Sequence, residues 1–186
     1  MADQLGLTVL RGLLPEGSDV DGQDGDGRAP LWHAAHRGEL GVVVHLAHQL
    51  GASVTLADGD GRSPLYAAAG YEGGGGHLKV VQWLAGNGGS VAQPNNNGVT
   101  PLSVAAQYGH LEVVKWLAGN GGSVAQPNNH GVTPLCGAAQ EGHLEVVQWL
   151  AGNGGSVAQP DNDGCTPLSV AAQYGHLEVV APIMSS

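Results

Sequence analysis

The sequence contains no phenylalanine, and only four tryptophans and four tyrosines among its 186 residues are aromatic. A single large core centred on aromatic rings is therefore not expected. The apolar residues are mostly Ala, Val and Leu, which suit small helices packed closely together. Apolar residues still make up 42% of the chain, too many for a disordered polar segment. The chain is expected to fold.

Basic residues are also scarce. Six Lys and Arg stand against sixteen Asp and Glu, which gives a net charge of −10, and the basic residues are scattered singly. A surface that follows nucleic-acid phosphates needs clustered positive charge, and so does attachment to anionic lipid. We therefore predict that the chain binds no nucleic acid.

Long apolar runs are absent, because Gly or His interrupts every stretch before it nears the roughly 20 residues that cross a bilayer. The first 14 residues lack the uninterrupted apolar stretch of a secretory signal. The two cysteines, 29 positions apart, make no disulfide framework. The sequence predicts no membrane insertion and a cytoplasmic or otherwise intracellular location.

An internal repeat is the strongest feature that the sequence does contain. The segment Gly86–Ala118 returns as Gly119–Ala151 with five changes in 33 positions, and again as Gly152–Val180 with three changes from the first copy. Two fainter copies lie upstream. The prolines at positions 30, 64, 101, 134 and 167 mark five units, spaced 34, 37, 33 and 33 residues apart.

Each unit predicts two short helices and a loop. Thr100 is placed to cap the first helix and Pro101 to open it, with about two turns following over residues 102–108. Gly109 breaks this helix, and a second helix is expected over residues 110–118, ended by glycines. An extended loop with Asn and Gly at its tip completes the unit. Ser63, Thr133 and Thr166 stand where Thr100 does, whereas Ala29 lacks a capping hydroxyl.

Thr-Pro-Leu-x-x-Ala-Ala and Gly-His-Leu-Glu-Val-Val recur at fixed spacing over residues 99–180, and less closely over residues 15–98. In these motifs the chain resembles the ankyrin repeat family. The resemblance implies an all-α fold, an ankyrin-repeat α-solenoid of helix pairs with projecting finger loops. We assign residues 1–18 to a partial leading repeat, 19–180 to about five repeats with a glycine-rich insertion at 72–75, and 181–186 to a short tail. Pro182 is expected to end the last helix.

The sequence departs from the family at two recurring positions. The usual His two residues after the proline is replaced in every unit, by Trp32, Tyr66, Ser103, Cys136 and Ser169. Prolines at 94, 127 and 160 remove a backbone donor from each finger, which predicts limited pairing between neighbouring fingers.

Two groups of residues look like metal ligands, but in neither case is the set of ligands complete. The segment Asp19–Gly27 looks like a calcium loop, but its sixth and twelfth residues are Asp24 and Pro30 where Gly and Glu are needed. A finger tip explains it better. The pairs His33/His36 and His45/His48 lack a completing Cys or carboxylate in sequence. We expect no metal, no cofactor and no small-molecule substrate.

Candidate catalytic groups are likewise explained by the repeat. His77, His110, His143 and His176 recur because the motif places them at the start of each second helix, and Trp83, Trp116 and Trp149 are predicted to stack in the core. Cys136 and Cys165 lack a basic neighbour that would lower their pKa. No nucleophile, base and orienting group can be assembled, so the chain is not predicted to be an enzyme.

The resemblance implies a partner-binding face formed by residues beside the finger glycine and before the glycine between the helices. Aromatic residues carry a large share of interface energy, so Tyr108 and Tyr174 are the expected anchors. The candidate residues are Asp26, Arg28, Asp60, Arg62, Asn96, Asn97, Val99, Gln107, Tyr108, Asn129, His130, Val132, Gln140, Glu141, Asn162, Asp163, Cys165, Gln173 and Tyr174.

The resulting hypothesis is a protein–protein interaction module that uses its fingers and first helices as a concave surface. Two alternatives stay open at the level of sequence. The chain could be a targeting fragment of a larger protein whose catalytic domain lies outside it. The near-identical copies could also be a recent expansion without a selected partner.

Overall fold

A computed structural model describes residues 19–70 and 76–184 of the chain. The partial leading repeat predicted at 1–18 and the insertion predicted at 72–75 lie outside these residues. The described residues form ten α-helices and no strand. The helices are α1 Pro30–His36, α2 Leu40–Leu50, α3 Pro64–Ala69, α4 Leu78–Gly86, α5 Pro101–Gln107, α6 Leu111–Gly119, α7 Pro134–Gln140, α8 Leu144–Gly152, α9 Pro167–Tyr174 and α10 Leu177–Met184.

The odd-numbered helices, the first of each unit, begin as the sequence predicts. Thr100 Oγ1 accepts a hydrogen bond of 3.1 Å from the backbone N–H of Ser103, and Pro101 occupies the first helical position. This bond satisfies a donor that has no partner within the helix. The same bond forms at Ser63, Thr133 and Thr166, and Ala29 forms none. The predicted caps are confirmed.

A glycine with positive φ separates the two helices of a unit and receives a histidine of the next unit. Gly109 has φ +75°, and a Cβ at this position would lie only 2.5 Å from Nδ1 of His143. Gly38 faces His77 and Gly142 faces His176 in the same way. The recurring histidines therefore pack against the preceding unit, which is a structural role.

The core is one cluster of small apolar side chains that runs through all five units. Leu102, Ala105 and Ala106 of α5 are fully buried, as are Val113 and Leu117 of α6. The alanines let each first helix approach its neighbours closely, whereas neighbouring second helices make few contacts. This difference in spacing curves the array and places the first helices on its inner side.

The last helix runs through Pro182 to Met184, so the prediction that it ends before Pro182 is wrong. Proline removes the one hydrogen bond that its N–H would donate to the carbonyl of Glu178. Val179 in the same helix is fully buried against the array. This packing stabilises the helix beyond the point at which local sequence would end it.

The three recurring tryptophans lie at the margin of the core, which corrects the prediction that they stack inside it. Trp83, Trp116 and Trp149 are only partly buried. Valine and alanine fill the narrow space between the helices, so the wider indole rings lie along the second helices. There the ring of Trp83 contacts the ring of His48, with 5.2 Å between their centroids.

One glycine inside a helix has no structural need to be glycine. Gly137 stands in α7 where Val104 and Val170 stand in α5 and α9, and a Cβ there would meet only Cβ of Gln107, at 3.8 Å. Glycine is about 1 kcal/mol less favourable than alanine inside a helix. We expect Gly137→Ala to raise the free energy of unfolding by about 1 kcal/mol, measured by urea denaturation.

Gly109→Ala is the matched control. It should lower the free energy of unfolding by about 1–2 kcal/mol, because alanine is strained at positive φ and its methyl group would collide with His143. Equal losses in the two variants would contradict this account of the helix junctions.

Candidate functional site

Each finger is closed by an Asp or Asn side chain that binds its own backbone. Oδ1 of Asn95 accepts from the N–H groups of Asn97 at 3.0 Å and Val99 at 2.9 Å. The N–H of Asn95 donates to the carbonyl of Val99 at 2.9 Å. The short side chain thus fixes the tip locally. Asp24, Asp58, Asn128 and Asp161 play the same part in the other four units.

Neighbouring fingertips are joined by a ladder of asparagines. The backbone N–H of Asn129 donates to the carbonyl of Asn97 at 3.0 Å, and its Nδ2 donates to the carbonyl of Asn96, also at 3.0 Å. Asn162 binds the fourth finger through His130 and Asn129 in the same way. The finger prolines led us to expect limited pairing between neighbouring fingers. The fingers nevertheless pair at their tips, beyond the prolines, and these bonds align the tips in one row.

Three of the candidate residues therefore have a structural role. Asn96, Asn129 and Asn162 are exposed, but their amides hold adjacent fingers together. One signal in the sequence could have identified them, because asparagine is retained at this position in all three near-identical copies.

The residues that follow the ladder asparagines are different. Asn97, His130 and Asp163 differ between the copies and are exposed. The ladder uses the backbone carbonyls of Asn97 and His130 and not their side chains. They form a row of variable side chains, one per unit, along the edge of the array. We call these three residues the tip row.

In units one and two, a buried carboxylate organises the fingers. The side chain of Asp58 is fully buried and accepts from Nε of Arg62 at 2.7 Å and from the Arg62 backbone N–H at 2.8 Å. Nε1 of Trp32 donates to the carbonyl of Arg62 at 3.0 Å, and the Arg28 guanidinium lies 4.8 Å from the centre of the Trp32 ring. Sequence reasoning missed this cluster, since its members are about 30 residues apart.

The cluster decides which upstream candidates face outward. Arg28 and Arg62 are engaged with Trp32 and the aspartates, and each side chain is only 28% exposed. Asp26 and Asp60 pair with these arginines at 3.0 and 2.8 Å and keep about two thirds of their side chains exposed. The outward face of these two fingers is consequently acidic.

The C-terminal ends of the first helices hold the second group of candidates. Tyr174 is 56% exposed, whereas Tyr108 is partly buried and its ring stacks on His110 with centroids 6.3 Å apart. Gln140 Nε2 donates to Oε1 of the adjacent Glu141 at 3.1 Å. Of the two predicted anchors, Tyr174 is the more accessible.

The remaining candidates flank these two groups. Val99, Val132 and Cys165 are partly buried beside the finger, and Gln107 and Gln173 lie at the ends of their helices. None of the nineteen candidate residues is fully buried. The tip row and the helix ends are therefore accessible, whereas the amides of the ladder asparagines bind the preceding finger.

The finger of unit one uses its acidic groups internally. Asp24 accepts from the backbone N–H of Arg28 at 2.9 Å and lies 2.8 Å from Nε2 of His33. The Arg28 bond and then the His33 bond hold the pKa of Asp24 below its usual value. In the described ranges no group of three or more His, Cys, Asp and Glu side chains is arranged to hold a metal ion.

The cysteines are free thiols. Cys136 is 3% exposed, and burial raises its pKa to about 11. A thiol with a raised pKa forms little thiolate at neutral pH and is a poor nucleophile. Cys136 is therefore a small side chain of the core, whereas Cys165 is only partly buried.

No helix among the described residues is long and apolar enough to cross a membrane.

Helix pairs joined by projecting loops and stacked on one another define an α-helical repeat protein. The family model described as ankyrin repeats (3 copies) matches residues 1–91, 40–128, 71–161 and 123–186, which together span the chain. The chain belongs to the ankyrin repeat family. A comparison with curated protein sequences finds no match.

The ladder can be tested at one residue. Asn129→Ala removes the Nδ2 donor that binds the Asn96 carbonyl, and it should lower the free energy of unfolding by about 0.5–1.5 kcal/mol, as a typical hydrogen bond contributes. His130→Ala next to it should change the free energy by less than about 0.5 kcal/mol. The same loss in both variants, measured by urea denaturation, would show that the asparagine amide is not special.

The pH dependence of stability has an identifiable source in His36. Its ring stacks on Trp32 with centroids 5.1 Å apart. Burial, and then the nearby positive charges of Arg28, His77 and His33, hold the pKa of His36 below its usual 6.5. The folded state therefore favours neutral His36, and this contribution to stability is present above pH 6.5 and lost as the pH falls below it.

We expect His36→Gln to lose less stability than the parent chain between pH 6.5 and pH 5, because the glutamine side chain does not titrate. The fold should accept this change, since Gln occupies the equivalent positions 107, 140 and 173. Urea denaturation at a series of pH values measures the difference. If the free energy of unfolding depends on pH identically in the two proteins, His36 is not a source of the pH dependence.

Proposed function

We propose that this chain is a protein-binding module whose partner contacts the tip row and the C-terminal ends of the first helices. Membership of the ankyrin repeat family supports the general role, since ankyrin repeats are generally protein–protein interaction modules and the family is typically non-catalytic. The particular surface is argued from the geometry of the fingers and from variation between the copies.

The observation that carries the proposal is the contrast between the ladder and its neighbours. The two full copies differ at five of 33 positions, and two of these differences, Asn97/His130 and Tyr108/Glu141, fall on the proposed surface. The ladder asparagines next to them do not change. The asparagines that join the fingers are kept, and the exposed residues beside them vary, as expected where each unit meets a different part of a partner.

The shape of the array fits the same surface. The first helices approach one another more closely than the second helices do, so the fingers and first helices line the inner side of a curve. Amide, imidazole, carboxyl and phenol groups project there, from Asn97, His130, Asp163 and Tyr174. These groups donate and accept hydrogen bonds, which suits the backbone and side chains of a polypeptide.

An intracellular location is part of this proposal. Both cysteines are free thiols, and a reducing compartment keeps thiols in that state.

The experiment is affinity capture from native lysate followed by mass spectrometry, with paired variants of the full chain. Tyr174→Ala combined with His130→Ala should reduce recovery of the specific partner at least about tenfold, since a central aromatic residue carries about 2 kcal/mol or more of interface energy. Both side chains are exposed, so the helical content measured by circular dichroism should not change.

The matched control changes the opposite side of the array. Lys79→Gln with Lys115→Gln alters exposed residues of the second helices. Glutamine already occupies position 148, which is equivalent to Lys115. Capture should be retained in this variant. If the lysine changes abolish capture and the tip changes do not, the partner binds the second helices and the proposed surface is wrong.

A further inference from the structure

The chain has two cysteines, and both lie at the junction between units four and five. Cys136 is the third residue of α7, on the first turn of the helix. Cys165 comes just before Thr166, the residue that caps α9. The fold therefore assigns one thiol to each side of the same junction, although the two are 29 positions apart in sequence.

The junction between units one and two shows that these two positions face each other. Trp32 stands where Cys136 does, and Arg62 stands where Cys165 does. Nε1 of Trp32 donates to the carbonyl of Arg62 at 3.0 Å, and the Arg62 guanidinium carbon lies 5.8 Å from the centre of the Trp32 ring. Both the backbone and the side chain of the finger residue thus lie beside the helix residue.

The junction between units two and three has the same arrangement. Tyr66 stands where Cys136 does, and its hydroxyl oxygen accepts from Nδ2 of Asn95 at 3.5 Å. Asn95 is equivalent to Asp161, whose Oδ1 accepts from the backbone N–H of Cys165 at 2.8 Å. The side chain at this helix position therefore points at the finger of the next unit.

Electrostatics places the two thiols near each other. Burial raises the pKa of Cys136 to about 11, and the negative charges of Asp161 and of ionised Cys165 add to this effect. Exposed charges separated by more than about 10 Å are largely screened, so the influence of Cys165 on Cys136 indicates that they are neighbours.

We propose that Cys136 and Cys165 form a modification site, at which a peroxide produces a reversible disulfide that joins unit four to unit five. Both positions are otherwise occupied by residues that cannot form this bond. The helix position has serine in units three and five, and the finger position has valine in units three and four. The chain's two cysteines thus coincide at a pair of positions that the fold brings together.

The reaction proceeds in two steps. The thiolate of Cys165, which is only partly buried, attacks one oxygen of hydrogen peroxide, so that an S–O bond forms, the O–O bond breaks and the hydroxide released becomes water. The sulfur of Cys136 then attacks Sγ of Cys165. The S–S bond forms, the S–O bond breaks, and the hydroxide released takes up the proton of the Cys136 thiol. Two thiols are oxidised and one peroxide is reduced to two waters.

The exposures of the two thiols fit this order. Cys136 is 3% exposed, so an oxidant in solution reaches Cys165 first. A sulfenic acid condenses readily with a nearby thiol, and Cys136 provides that thiol from within the core. The site does not rest on the proposed binding function, because the reaction needs no partner.

The test is to treat the full chain with excess hydrogen peroxide and to map its peptides by mass spectrometry without reduction. The parent chain should lose both thiols and yield one pair of peptides joined through positions 136 and 165. Dithiothreitol should restore both thiols. The oxidised chain should show a urea midpoint higher by about 1 M, because a disulfide across such a loop constrains the unfolded state.

The repeat provides a matched control in Cys136→Ser combined with Ser103→Cys. This variant keeps two cysteines, one of them in an equivalent buried position, but places them in units that are not adjacent. It should form the disulfide at least about tenfold more slowly, because the bond needs Cα atoms within about 7 Å of each other.

A second variant moves the complete pair to the preceding junction. It combines Cys136→Ser and Cys165→Val with Ser103→Cys and Val132→Cys, so that every changed position receives a residue already found at an equivalent position. This variant should form the disulfide as readily as the parent chain does, now between positions 103 and 132.

Four results would overturn the proposal. The first is a parent chain that keeps both thiols, and the second is one that oxidises Cys165 to the sulfinic acid while Cys136 stays a free thiol. The third is a disulfide that joins two chains instead of two units. The fourth is a first variant that reacts as fast as the parent, or a second variant that forms no disulfide, since either would show that the junction geometry does not direct the reaction.

Discussion

The packing of each unit on the next is the interaction on which the rest of the structure depends. A unit contributes two helices of only 6 to 11 residues, too short to be stable alone in water. Each gains stability by burying alanine, leucine and valine against its neighbours. The alanines of the first helices set a close spacing, the histidine rings occupy the glycine junctions, and the asparagine ladder aligns the tips. Curvature and the row of exposed tips both follow from this stacking.

Stacking also divides the side chains between structure and function. A residue at a junction cannot change without altering the next unit, whereas a residue at a fingertip can. The adjacent positions 129 and 130 show this division most clearly. Asn129 binds the finger before it, and His130 replaces the asparagine found at 97 in the preceding copy. A repeated scaffold can therefore carry a binding surface whose side chains vary from unit to unit.

Sequence alone could predict the features that depend on neighbours within a few residues. The Thr–Pro helix starts and the glycine breaks were all recognisable, since each needs only a local pattern. Features that join residues about 30 positions apart could not be predicted. The buried carboxylate of Asp58 pairs with Arg62 and lies near Arg28 of the preceding finger, and α10 continues through Pro182 because Val179 is packed. For the candidate site, sequence indicated the positions, but only the structure separated the ladder asparagines from the tip row.

Native-state hydrogen exchange of the backbone amides tests the central claim most directly. If stacking supplies the stability, the amides of units three and four, which have a neighbour on both sides, should exchange slowest. Those of unit five, whose end face is exposed, should exchange fastest among the last three units. Equal protection of the first helices α5 and α9 would contradict the account, because these two helices are identical in sequence over seven residues and differ in what packs on them.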